Sequence, residues 1–139
     1  MLAIEKLNQF YGESHTLWDL DLEVPAGQCT CVMGRNGVGK TTLLKAVMGE
    51  VAIKSGELRY TAETGEIELT KKAVEARSRL GIGYVPQGRQ IFPLLTVEEN
   101  LRTGLAARSD GLKKIPERVY ELFPVLKEMK HRRGGDLSG

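Results

Sequence analysis

A chain of 139 residues can build one domain with a real core, and 41% hydrophobic with 27% charged residues marks it as globular. Twenty basic side chains stand beside 18 acidic ones, a net charge of +2 too balanced to argue for nucleic acid or an anionic membrane surface as a partner. No apolar run approaches membrane-spanning length, and residues 1–6 lack the pattern of a secretory leader.

Leu2, Ile4 and Leu7 alternate with polar residues and predict a strand over residues 2–8, ended by Phe10-Tyr11-Gly12. Residues 16–24 alternate more cleanly. Trp18, Leu20, Leu22 and Val24 would share a buried face and Asp19, Asp21 and Glu23 the wet one, which suits an antiparallel strand. Pro25-Ala26-Gly27 is a turn, and residues 28–33 form a short, mostly apolar run that suits another strand. Cys29 and Cys31 would point to one face of that strand, which is poor disulfide geometry. They read as small, reduced apolar fillers, as in a cytosolic protein.

The stretch Gly34-Arg35-Asn36-Gly37-Val38-Gly39-Lys40-Thr41 reads G-x-x-x-x-G-K-T, the phosphate-binding P-loop. Gly34, Gly37 and Gly39 let the backbone turn its N–H groups inward as a nest for anionic oxygens. A helix beginning at Lys40 or Thr41 and closed by Gly49 adds the positive end of its dipole. Lys40 brings a cation to the outer phosphates, and the Thr41 hydroxyl can ligate Mg²⁺. Strand, glycine loop and helix in this order point to nucleotide binding.

Beyond the loop, Ser55-Gly56 turns into a short strand over residues 57–60, and residues 61–66 read as a polar loop. Thr70 is placed to cap a helix over residues 71–79, stopped by Gly81. Residues 87–95 carry few charges and no clear period, and so apolar a stretch suggests a surface that meets something. Thr96-Val97-Glu98-Glu99 is a capping box that opens a helix over about residues 97–106. Pro116 opens a further helix, with Val119, Leu122, Phe123 and Leu126 on one face. Pro124 splits it into segments of about 116–123 and 124–131. Gly134-Gly135 ends the second, before Asp136-Leu137-Ser138-Gly139.

Together these pieces resemble the ATP-binding subunits of ABC transporters, over the whole chain. The likeness rests on Tyr11-Gly12 ahead of the P-loop, residues 34–42, Tyr84-Val85-Pro86-Gln87 as a Q-loop, Thr96-Val97-Glu98-Glu99-Asn100-Leu101, and Asp136-Leu137-Ser138-Gly139 as the opening of an L-S-G-G-Q signature. The wording of residues 34–42 and 84–89 is similar to the branched-chain amino acid uptake subgroup, and residues 28–31 and 91–96 lean toward its urea importer branch. The resemblance implies an α/β P-loop NTPase of ABC ATPase type, represented by its N-terminal part: an antiparallel β subdomain, the P-loop strand and helix, and the start of a helical subdomain. Residues of about 1–85 would form the nucleotide-binding core and β subdomain, and about 86–139 the Q-loop and helical subdomain.

The resemblance also implies roles. Tyr11 would stack on adenine. Gly34, Asn36, Gly37, Gly39, Lys40, Thr41 and Thr42 would hold the phosphates of ATP, and Thr41 would hold Mg²⁺. Gln87 would offer its side-chain oxygen to Mg²⁺ or the attacking water, and its loop would sense the membrane partner. Ser138 and Gly139 would face the γ-phosphate held by a second ATPase subunit in a head-to-tail dimer. The subunit would lie on the cytoplasmic face of the membrane through its integral membrane permease. His15 receives no role.

The 139 residues stop inside the signature, and the acidic strand end, catalytic glutamate and switch histidine of the family are not among them. The chain is therefore expected to bind ATP without hydrolysing it at a useful rate. It is also expected to be a piece of a longer ATPase that self-associates to cover its unpaired P-loop strand. Two other readings are a different P-loop protein, such as a small-molecule kinase, and a non-catalytic nucleotide-binding module. A kinase needs an arginine-rich lid, whereas the stretch after Gln87 is apolar and better suits docking on a membrane subunit.

Overall fold

The computed structural model describes every residue except Glu63, Arg89, Ser109, Ser138 and Gly139. The chain forms two compact units, Met1–Ile82 and Gly83–Gly139. In the first, strands β1 (Leu2–Tyr11), β2 (Ser14–Val24), β3 (Ser55–Ala62) and β4 (Gly65–Glu68) make an antiparallel sheet in the order β2-β1-β3-β4. Helices α1 (Lys40–Met48) and α2 (Val74–Arg79) accompany it. Ile4 and Leu7 of β1, Leu17 of β2, Leu58 of β3 and Leu69 meet Leu43 and Ala46 of α1 in one buried cluster, so the glycine loop is carried by a helix seated on the sheet.

Two bulges set which residues enter that core. Between the pairs Ile4↔Leu22 and Leu7↔Leu20, two residues of β1 face one of β2, and Lys6 takes a φ of 48°. Asp21 fills the gap in the ladder: its carboxylate accepts from the Lys6 backbone N–H at 2.8 Å and from the Lys6 ammonium. Further along, Asn8 faces both Trp18 and Asp19, and Asp19 has a φ of 37°. Asn8 donates to the Asp19 carboxylate at 2.7 Å and accepts from the Asp19 N–H at 3.1 Å. Each extra residue reverses the in-and-out alternation. Leu17 is therefore buried and Trp18 is 70% exposed, the opposite of the face expected from the sequence.

Other expectations are corrected in the same unit. The run of residues 28–33 joins no strand, because it has no ladder partner among the described residues. Cys29 and Cys31 are free and exposed there rather than packed as fillers. Residues 61–66 are not all loop: β3 continues to Ala62 and turns back into β4, with Ala62 opposite Gly65. Thr70 does not cap a helix. Its hydroxyl accepts the backbone N–H of Leu58 at 3.0 Å, and α2 starts only at Val74, with Ala73 at its N-cap. The tertiary acceptor role outcompetes the local capping role.

The second unit holds α3 (Val97–Thr103), continued by a 3₁₀ turn over Gly104–Ala107, then α4 (Glu117–Leu122) and α5 (Pro124–Glu128). Pro124 sits in the first turn of α5, where its missing N–H costs nothing. The shared apolar face expected across these two helices is only partly covered, since Leu122 and Phe123 are exposed. The capping box is formed in full: Glu99 N–H donates to the Thr96 hydroxyl, and Thr96 N–H donates to the Glu99 carboxylate at 2.8 Å. Asn100 pins the preceding loop, donating to the carbonyls of Phe92, Leu95 and Thr96 and accepting from Phe92 N–H. The segment ahead of residues 137–139 is tied to the same place, with Gly134 N–H on the Leu95 carbonyl and Gly135 N–H on that of Pro93.

The Thr96 N–H, then the Thr96 hydroxyl, hold the Glu99 carboxyl below its ordinary 4.5. A folded-state pKa below the unfolded one gives stability that is present above the unfolded value and lost as pH falls through the folded one. Glu99 is therefore expected to titrate below 4.5 by NMR, with α3 amides losing exchange protection across that range. Glu99→Gln, which keeps the hydrogen bonds of the box, is expected to remove this slope; a Glu99 midpoint at or above 4.5 would contradict it.

Candidate functional site

The glycine loop closes on the start of α1. Gly37 and Gly39 have φ of 82° and 98°, in the left-handed region that a side chain strains to adopt. At Gly39 space is lacking as well, since a Cβ there would lie 2.9 Å from a Leu17 methyl and 3.3 Å from the Thr16 carbonyl oxygen. The start of β2 thus presses on the last turn of the loop.

Gly39 is the N-cap of α1, so no side chain occupies the first-turn N–H groups, and that turn carries no acidic residue. A helix begun this way leaves its amide donors and its positive dipole end to an incoming anion. Lys40 folds back over the loop, its ammonium donating to the carbonyls of Gly34 at 2.8 Å and Arg35 at 2.6 Å. Both acceptors lie on the exposed rim, so the cation spans the mouth of the nest. Asn36 and Thr41 are exposed beside it, whereas Thr42 turns its side chain into the core. A phosphate group fits this cradle. For Mg²⁺ the first unit offers the Thr41 hydroxyl, and no group of three or more His, Cys, Asp or Glu converges among the described residues. Such a site suits an ion that arrives with phosphate oxygens and keeps its waters.

Tyr11 is half exposed at the end of β1, opposite Ser14, on the hairpin that leads directly to Thr16 and Leu17. Next to it the structure finds a contact for His15. Its ring lies between Phe10 and Trp18, with centroids 3.9 and 3.6 Å away, and its Nε2 is 2.8 Å from Asn8 Oδ1. The Trp18 ring is expelled from the core by the bulge and is held here, its N–H donating to the His15 carbonyl. Gln87 belongs to the second unit and is exposed. Ser138 and Gly139 lie outside the described residues.

Sequence reasoning missed Arg77. It is 3% exposed, and its guanidinium donates to the carbonyls of Ala46 and Val47 at the end of α1 and to that of Lys72. A charged residue in a short amphipathic stretch gives no local sign of burial; only its spacing from the P-loop helix could have drawn notice.

This arrangement, a glycine loop feeding an uncapped helix on an antiparallel sheet, is shared by solved structures of ABC transporter ATP-binding cassettes. The chain aligns along its full length with the ADP conformation of MJ1267, an ATP-binding cassette of an ABC transporter, at a TM-score of 0.73 and 27% identity, covering 59% of it. With the dimeric structure of MJ0796, a bacterial ABC transporter cassette, the TM-score is 0.79 at 24% identity, covering 64% of that chain. Residues 17–139 match the ABC transporter family model, and the chain belongs to that family.

Among curated relatives, the high-affinity branched-chain amino acid transport ATP-binding protein BraG of Pseudomonas aeruginosa is 39% identical over the whole chain. The probable branched-chain amino acid transport ATP-binding protein LivF of Archaeoglobus fulgidus is 37% identical. The chain spans 58% of the length of each. Among the described residues no helix is long and apolar enough to cross a membrane.

Proposed function

We propose that this chain is the nucleotide-binding part of an ATP-binding subunit that powers solute import through integral membrane permease subunits, on the cytoplasmic face of the membrane. The observation that carries the reading is the uncapped N-terminus of α1, turned by Gly37 and Gly39 and spanned by Lys40. The loop amides and Lys40 bind the phosphates of ATP, Thr41 holds Mg²⁺, and Tyr11 stacks on the adenine. Bound Mg²⁺ supplies charge neutralisation at the outer phosphates. Gln87, Ser138 and Gly139 take the Q-loop and signature roles on resemblance alone, the latter two toward a second subunit. About 1–85 is the nucleotide-binding core and about 86–139 the helical part.

The names of BraG and LivF favour branched-chain amino acids as the solute class. The urea alternative rests on the wording of residues 28–31 and 91–96. Loss of labelled leucine uptake or of labelled urea uptake on deleting the gene separates the two.

The reading is tested by calorimetric titration of the chain with Mg²⁺-ATP, run beside a phosphate-release assay. Saturable binding without steady release is the expected result, because the loop cradles phosphate, whereas release also needs an oriented attacking water, a role assigned here to Gln87 alone. Absence of binding overturns the nucleotide reading, and steady release abolished by Lys40→Ala overturns the non-hydrolysing one. The exposed run around Met33, which is 85% exposed, also favours self-association of the chain. A monodisperse monomer in light scattering would count against that.

A further inference from the structure

Helix α1 has two ends, and the P-loop uses only one. At the other, the last carbonyls need partners. Gly49, at a φ of 80°, donates its N–H to the Ala46 carbonyl, and Glu50 N–H reaches Lys45. Arg77 adds donors from α2, thirty residues further along the chain. Its Nη1 donates to Ala46 at 2.8 Å and Val47 at 2.7 Å, and its Nε to Lys72 at 2.9 Å. The fit is close: a Cβ on Gly49 would lie 2.9 Å from the guanidinium carbon, so Gly49 both turns the chain and leaves room for Arg77. The backbone of Arg77 meanwhile accepts the N–H groups of Leu80 and Ile82.

Three properties make this more than surface capping. The guanidinium is buried, so its hydrogen bonds are made where water cannot replace them. It joins two elements distant in sequence, α1 and the turn at Lys72. Its charge sits against the negative end of the same dipole whose positive end faces the phosphate nest, about 13 Å away along nine residues.

We propose that Arg77 is a positioning residue for the phosphate loop. By clamping the last turn of α1 to the turn at Lys72, it sets the axial position and rotation of the helix whose first turn presents Lys40, Thr41 and the phosphate-facing amides. The inference rests on the nucleotide reading above. Linkage is reciprocal, so a clamp that favours Mg²⁺-ATP binding is itself favoured by it, and Mg²⁺-ATP binding should protect the Arg77 clamp.

The test compares Arg77→Met, which keeps the stem and loses every donor, with Arg77→Lys and with Ile67→Ala, which removes core packing on β4 without touching the clamp. Mg²⁺-ATP affinity is measured for each at a temperature where circular dichroism shows it folded. Arg77→Met is expected to weaken binding about tenfold, within the range for residues that couple to a site without touching ligand. Arg77→Lys is expected to recover part of that loss, and Ile67→Ala to bind within about twofold of the parent despite a lower unfolding midpoint. Parent-like affinity in folded Arg77→Met overturns the proposal, as does an equal loss in Ile67→Ala. If Arg77→Met fails to fold, Arg77→Lys against Ile67→Ala decides by the same criterion. If the parent itself binds no nucleotide, the nucleotide reading has failed, and the clamp is judged by hydrogen exchange in the free chain. Faster exchange of amides 40–43 in the Arg77 variants but not in Ile67→Ala supports it, and unchanged exchange overturns it.

Discussion

Gly56→Ala is expected to lower the stability of the first unit by about 4 kcal/mol, the sum of a strained backbone and a forced overlap. Gly56 has a φ of 101°, so any side chain starts from a disfavoured conformation. It also faces the bulge at Lys6 and Leu7 of β1, where two residues oppose one between the pairs Glu5↔Glu57 and Asn8↔Ser55. A Cβ would come within 2.5 Å of the Lys6 carbonyl oxygen, 2.6 Å of the Leu7 Cα and 2.7 Å of the Glu5 carbonyl oxygen. All three are backbone atoms of the central part of the sheet, and none can rotate away. Against a total stability of about 5–15 kcal/mol for an ordinary domain, this change alone removes a large share. Urea denaturation read by circular dichroism checks it; a Gly56→Ala midpoint close to that of the parent would show that β1 yields more readily than a paired strand should. Gly65→Ala is the informative control. Its φ is also positive, at 116°, but among the described residues no atom beyond its own chain neighbours lies within 4 Å of the added methyl, so only the backbone component remains.

Lys40→Ala is expected to weaken Mg²⁺-ATP binding by about 30–100-fold, the equivalent of about 2–3 kcal/mol for charge-assisted hydrogen bonds to phosphate. The effect on folding should be small. The Gly34 and Arg35 carbonyls that Lys40 now satisfies lie in an exposed loop, where water takes over as the donor. Affinity and stability therefore separate: calorimetry should show the loss, and thermal unfolding should move by only a few degrees. Equal affinity in the two proteins would mean that the ammonium stays on the loop carbonyls when nucleotide binds. That would assign the phosphate-holding role to the amides alone.

The same separation gives meaning to the Arg77 experiment. Lys40 acts at the nest and Arg77 at the far end of the helix, and one unit contains both. A loss at either end with the fold intact identifies α1 as the element that turns sheet packing into phosphate geometry.

What the sequence determined by itself was local. The glycine spacing of residues 34–41 specified a left-handed turn into a helix start. Gly49 specified the helix end, Thr96 with Glu99 a capping box, and Pro124 a break between two short helices. Each is a contest among residues within four or five positions of one another, where backbone conformation and hydrogen-bond reach leave few solutions. The family was legible for the same reason, because its motifs are short and ordered along the chain. What the tertiary structure decided depends on partners that sequence distance hides. Strand alternation places Trp18 in the core, but an extra residue opposite Asn8 turns it outward and puts Leu17 in its place. Thr70 has the look of a cap, yet it serves a strand amide twelve residues back. Residues 28–33 have strand composition and, among the described residues, no strand beside them. Arg77 gives no local sign of burial and is the most buried cation of the described residues, because four backbone carbonyls brought together by folding, those of Ala46, Val47, Thr70 and Lys72, hold it there. Local propensity picks the element; cross-strand counting and burial pick the face, and these come into being only when the elements meet.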